Sequence, residues 1–263
     1  MSGAYLTSRR RYQVLALYEY ERFISVGESA TIMAFQRFLP LLVLLICSCN
    51  IAAAQETQFL PEVDLYWKLN SSVRLWTQAS DTRDGGDPTQ ASFGPSLEFY
   101  LKPLVRLKNV AAFDLDDAKT RPLLLSVGYR YLAAPNSPST NRMVLIATSH
   151  VPAKLGLLIS DRNRSDLDWS NGKFTWRYRN KLQVEKSLVV RSYHPAPYSS
   201  VEVYYESQYE KWSTTEIYAG CLFPIGHHFE LDPYYEHQNN TGKSPNSQLQ
   251  GIGLKLNIFL SAK

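Results

Sequence analysis

Cysteine is scarce in this sequence. Of three, Cys47 and Cys49 share one apolar run near the N-terminus, and Cys221 stands alone far downstream. If that run is removed, one thiol is left and no intrachain disulfide framework can form. Cys221 then reads as a small apolar residue on a strand face, because no neighbouring base is visible to activate it. Charge of one sign is scarce as well. The formal net charge is +4 over 263 residues, and no basic run exceeds Arg9-Arg10-Arg11, so nucleic acid is not an expected partner. No phosphate-binding loop, dinucleotide fingerprint or zinc motif occurs, so no cofactor is expected. Beyond residue 55 no stretch is apolar over the length of a membrane helix, and none of useful length carries a helical period.

Aromatic residues are plentiful, with 17 tyrosines and 13% aromatics overall. This suits β structure and the aromatic girdles found at membrane interfaces. Residues 33–55 read MAFQRFLPLLVLLICSCNIAAAQ. Arg37 supplies a basic start, Phe38 to Cys47 an apolar core too short to span a bilayer, and Ala52-Ala53-Ala54 a small-residue cleavage site. Residues 33–54 are therefore expected to be a secretory signal peptide. Ile46-Cys47-Ser48-Cys49 resembles a lipobox only faintly and ranks below cleavage after Ala54. The unrelated residues 1–32 fit an over-extended gene start, with translation beginning at Met33. Residues 55–263 would be the exported body.

That body alternates apolar and polar residues almost throughout, the signature of strands with two unlike faces. Val63, Leu65, Trp67 and Leu69 share one parity; Leu97, Phe99 and Leu101, then Leu123 to Tyr131, and finally Ile252 to Leu260 repeat the pattern. Residues 81–88, 135–140, 237–246 and the second half of 161–171 read as polar loops, His150-Val151-Pro152 as a turn, and 102–120 stays ambiguous. The sum is about ten to twelve strands in an all-β, antiparallel, up-and-down transmembrane barrel of the outer-membrane type. The opposite parity carries the ions: Arg130, Arg162, Arg177, Arg179, Lys181, Glu185, Glu202, Glu206, Glu216, Glu230, Asp232 and Glu236. These are expected to face the lumen. Bases concentrate over 130–181 and acids over 185–236. Burying unpaired charge is costly, so pairing across the lumen is expected.

Several runs occur in a telling order: Gly128-Tyr129-Arg130-Tyr131, Asp161-Arg162-Asn163-Arg164, Arg177 to Leu182 (RYRNKL), Glu202-Val203-Tyr204-Tyr205, and Tyr234 to Asn239 (YYEHQN). With the final G-I-G-L-x-L, they make residues 58–260 resemble the bacterial family named only as domain of unknown function 2490. The resemblance implies an outer-membrane β-barrel and no catalytic residues. The C-terminus departs from common barrel practice: Leu260, not an aromatic, ends the apolar parity, with Phe259 on the other.

Catalytic constellations are thin. Ser170-Asn171-Gly172 resembles a piece of outer-membrane phospholipases, but Asp168 stands where their histidine would be. His150 or His194 would have to approach Ser170 to act as base. Asn-Gly is also a favoured turn dipeptide, which explains the run without chemistry. His227-His228 and His237 lack ligand spacing, and lumenal salt bridges account for Asp64, Glu98 and the later acids more cheaply than a glycosidase pair does. The expected function is thus non-enzymatic: a structural barrel or a narrow, selective pore with a charge-paired lumen. Its expected partners are outer-membrane lipid, the barrel assembly machinery and a small solute of unknown identity. An outer-membrane lipid-modifying enzyme and a soluble periplasmic ligand-binding barrel are the alternatives.

Overall fold

The computed structural model describes residues 56–101, 115–135, 137–242 and 244–261. The expected signal peptide and gene-start segment lie outside these residues, as does 102–114 of the ambiguous stretch. Eleven strands follow one another: β1 (Glu56–Lys68), β2 (Val73–Asp84), β3 (Asp87–Tyr100), β4 (Leu123–Ala134), β5 (Ser137–Pro152), β6 (Leu157–Ser170), β7 (Lys173–Lys186), β8 (Ala196–Glu206), β9 (Lys211–Ile225), β10 (Phe229–Asn240) and β11 (Ser247–Ser261). Each pairs with its sequence neighbours, and β1 pairs with β11 to close a barrel. Successive strands are antiparallel. An odd number of them leaves the first and last running the same way, so the closing pair is parallel, with Val63 opposite Leu256.

The alternation reads out as inside and outside. On β11, Ile252 and Leu254 are exposed while Gly253 and Asn257 are buried. On β3, Phe93, Leu97 and Phe99 are exposed while Ser96, Glu98 and Tyr100 are buried. Apolar side chains thus cover the outer surface and ionic ones fill the interior. From Ile252 to Leu260 the outward apolar run covers roughly 26 Å along the strand at ~3.3 Å per residue.

Strand ends differ from the sequence reading. Residues 81–88 hold only a Gly85-Gly86 turn, β5 already begins at Ser137 within 135–140, and 161–171 is strand up to Ser170. His150 and Pro152 lie on β5, with the turn after them at 153–156, and β10 runs to Asn240. The strands continue past the apolar belt at one rim. There even the outward positions are polar, as with Asp81, Arg83, Asn141, His237 and Gln250, and they look like loops. That rim carries tight turns. Asn171 and Gly172 take φ of 49° and 72°, the left-handed pair of a two-residue hairpin turn.

Inward tyrosines lie flat against neighbouring strands where glycine makes room. A Cβ on Gly253 would meet the Tyr234 ring at 2.0 Å, and one on Gly220 the Tyr198 ring at 2.6 Å. Gly253→Val should therefore destabilise the barrel by about 1–3 kcal/mol through overpacking. Tyr234→Ala in the same chain should restore much of it, as read by denaturant unfolding followed through tryptophan fluorescence.

Candidate functional site

Among the described residues, the barrel's interior gathers most of the buried polar groups. One end of the bore is filled from within. Between β3 and β4 the chain forms a short 3₁₀ turn, Asp117–Thr120. Asp116 caps it, accepting the Ala118 N–H at 3.0 Å. Ala118 is fully buried against Tyr100 and Leu124. Three walls hold this plug. Arg74 of β2 reaches Asp116 at 2.5 Å while also binding Glu98 of β3. Lys68 of β1 binds Asp117. Across the bore, Lys119 meets Glu185 of β7 at 2.9 Å. Behind the plug, His150 Nδ1 lies 2.8 Å from the Arg121 carbonyl. Burial alone would raise the Asp116 carboxyl, but Arg74 and Lys119 beside it outweigh that and hold it below the ordinary value.

Beyond the plug lies a cavity of about 770 Å³. Its wall on β5–β7 is basic. Arg142, Arg164 and Arg177 surround the fully buried Asp166 at 3.7, 2.6 and 3.0 Å. Arg142 also forks onto Asp168 at 2.6 and 2.7 Å. Arg162 and Arg179 share Glu202 of β8 at 3.2 and 2.7 Å. Lys181 Nζ sits 3.9 Å from the centre of the Tyr218 ring, and Arg179 stacks 4.2 Å over Tyr204. The facing wall, β9–β11 and β1, is acidic. It carries Glu62, Asp64, Glu216, Asp232 and Glu236 around Lys255, which binds Glu62 at 2.6 Å and approaches Asp64 at 3.8 Å. A polar solute in this bore meets bases on one side and acids on the other.

The interior residues anticipated from sequence fall on the inward parity, with varied partners. Glu185 and Glu202 pair as above, and Arg179 reaches towards Glu216 at 4.0 Å. Both Tyr204 and Tyr218 donate to Glu216. Asp232 accepts from Tyr198 at 2.9 Å, and Glu230 from Asn257 at 2.8 Å. Glu206 sits at the rim, accepting from Gln208. Pairing across the lumen corrects to pairing along the wall: most bridges join adjacent or next-adjacent strands, because long side chains meet neighbours before they meet the far side. Arg130 departs furthest. It is 2% exposed, and the described contacts of its guanidinium are neutral: Gln78, the Gly94 carbonyl, Ser96 and the Trp76 ring at 4.8 Å.

Sequence reasoning missed the hub. Asp166 and Asp168 have the composition of a loop, although Arg162, Arg164, Asp166 and Asp168 share one parity and continue the strand. Conversely, the hydrolase constellation is not assembled. Ser170 pairs with Thr140 and His150 with Ser160 on the same β6, so ten residues, roughly 33 Å of strand, separate them. The Ser170 hydroxyl donates to the Ser139 carbonyl at 3.1 Å. His237 points outward on β10, and His228 faces the Phe259 carbonyl at 2.9 Å.

Together these features define an up-and-down β-barrel, apolar outside and ionic within, with one end of its bore filled by a piece of its own chain. The chain belongs to the family described as protein of unknown function (DUF2490), which it matches over residues 55–249. No curated protein matches it.

Removing the hub carboxylate leaves three arginines without their shared partner. Asp166→Leu should cost about 3–5 kcal/mol, read as a shift of the denaturant midpoint, whereas the same change at the exposed Asp87 should cost almost nothing. The plug should respond to acid. Because Asp116 is held below its ordinary 3.8, its contribution is complete above that pH and is lost as pH falls through the lowered value. Amide protection factors over 115–122 should drop in that range; protection unchanged at strongly acid pH would argue against the tie.

Proposed function

We propose that this protein is an outer-membrane β-barrel that admits small polar solutes into a narrow, selective bore. The observation that carries the reading is the inverted surface. Phe93 is 58% exposed and Ile252 59%, while Glu202 is 1% exposed and Asp166 fully buried. Water would favour the reverse arrangement, whereas lipid outside and a polar lumen inside favour this one. A soluble ligand-binding barrel would need the aromatic face turned inward. Tryptophan and tyrosine cluster towards both ends of the apolar belt, with Trp67 near one end and Tyr129, Tyr131 and Trp176 towards the other, as an interfacial girdle requires.

In this reading residues 33–54 direct export, the assembly machinery inserts the chain, and lipid covers the belt. The opposed basic and acidic walls favour solutes carrying both signs or a strong dipole. The inward-folded segment at 115–122 makes the passage narrow, and no bond-breaking chemistry is assigned to it.

The mature chain should fractionate with the outer membrane, need detergent for extraction, and migrate differently before and after boiling. Recovery as a soluble monomer without detergent would defeat the reading. In planar bilayers the refolded protein should give small conductance steps, and Asp116→Ala/Lys119→Ala should enlarge them severalfold by loosening the plug. Steps of equal size in both would leave the plug with no part in setting the passage.

A further inference from the structure

Among the described residues, strongly polar side chains gather on the outer belt in one place. At its middle, on β6 and β7, Asp161, Asn163 and Asn180 point outward and bond to one another. Asn180 Nδ2 donates to Asp161 Oδ1 at 2.7 Å and to Asn163 Oδ1 at 3.1 Å. Asn163 Nδ2 donates to Asp161 Oδ2 at 3.0 Å, and the Tyr178 hydroxyl donates to Asn163 Oδ1. No ion pair to Asp161 occurs among the described residues. Apolar residues lie around the cluster, with Ile159 and Leu182 on one side, Leu167 and Trp176 beyond Ser165 and Tyr178 on the other, Ala147 and Val203 laterally, and Ser149 opposite Asp161. A carboxylate and two carboxamides at mid-belt are out of place against lipid.

We propose that this patch is the contact between two copies of the chain, an inference that rests on the membrane reading above. The hydrogen-bond inventory argues for a second copy. Both Asn180 amide hydrogens are used, as is the Asn163 carbonyl. One Asn163 N–H and the Asn180 carbonyl oxygen keep capacity. Two barrels inserted the same way round can pair only about a two-fold axis along the membrane normal, and such a contact is isologous. That operation sets β6 of one copy against β7 of the other. Asn163 and Asn180 are direct cross-strand partners, so they lie at nearly one level, and each copy's Asn163 then faces the partner's Asn180. The spare donor meets the spare acceptor twice. Close by, Trp176 stacks on Tyr205 at 5.5 Å and Tyr178 packs edge-on to Trp212 at 6.2 Å, aromatic surface of the kind enriched in protein contacts.

The test uses the mature chain with Cys221→Ser and Leu182→Cys, because Leu182 lies level with Asp161. In outer membranes a short bis-maleimide should give a species of twice the chain mass. Val63→Cys on β1, the far wall, should not. Adding Asn163→Leu/Asn180→Leu should abolish the crosslink and take the detergent-solubilised protein from two-chain to one-chain mass. Retained heat-modifiable migration would show that the variant still folds. A wild-type protein that is membrane-inserted but of one-chain mass would overturn the proposal, as would crosslinking to a different protein or a dimer indifferent to the asparagine changes. Failure to enter the membrane would be seen at fractionation and would instead strike the underlying reading.

Discussion

Asp166 receives three arginines from three consecutive strands, and most of the interior follows from that knot. Arginines buried in the wall of a bore cannot be held there without anions to accept from them. With the carboxylate in place, Arg142, Arg164 and Arg177 are fixed against the wall, and Arg179 is left free to lean on Glu202 and Tyr204. The same logic operates at the plugged end. Arg74, bound to Glu98 on its neighbour strand, still has a face to offer Asp116, so the returning chain is captured by a cation already in position. The wall ions are therefore the scaffold on which the cavity and its closure are arranged.

The period-two reading of the sequence captured the faces because each face has one chemistry over the whole belt. Val63, Leu97 and Ile252 are outward for the same reason, and nothing tertiary was needed to see it. Strand limits were less legible. Hydrophobicity marks contact with an apolar surrounding, and β2, β5 and β10 continue beyond the belt with polar residues on both faces. Asp166 and Asp168 read as loop for a related reason, because their arginine partners lie mostly on other strands. The plug was invisible for a different reason. Its ties run from Lys119 to Glu185 and from Asp117 to Lys68, and no local pattern encodes partners so far apart in sequence.

Family membership adds no chemistry, which leaves the interior and the outer patch to speak for function. They speak of different things. The interior has opposed charges, a closed end and tyrosines laid over glycines, all of which shape a space. The outer patch has amide groups with capacity to spare and no space at all. A passage needs the first, and a contact between proteins needs the second.

The parallel seam between β1 and β11 carries a topological consequence. In a barrel with an even number of strands the chain begins and finishes at the same rim, and a short linker could join its ends. Here β1 begins at the rim of the tight turns and β11 finishes at the plugged rim. A circular permutant would need a connector running the full height of the wall, outside or through the bore. The order of strands around this barrel is therefore locked to one linear order in the gene, and the two ends of the folded chain report on opposite faces of whatever layer the wall occupies.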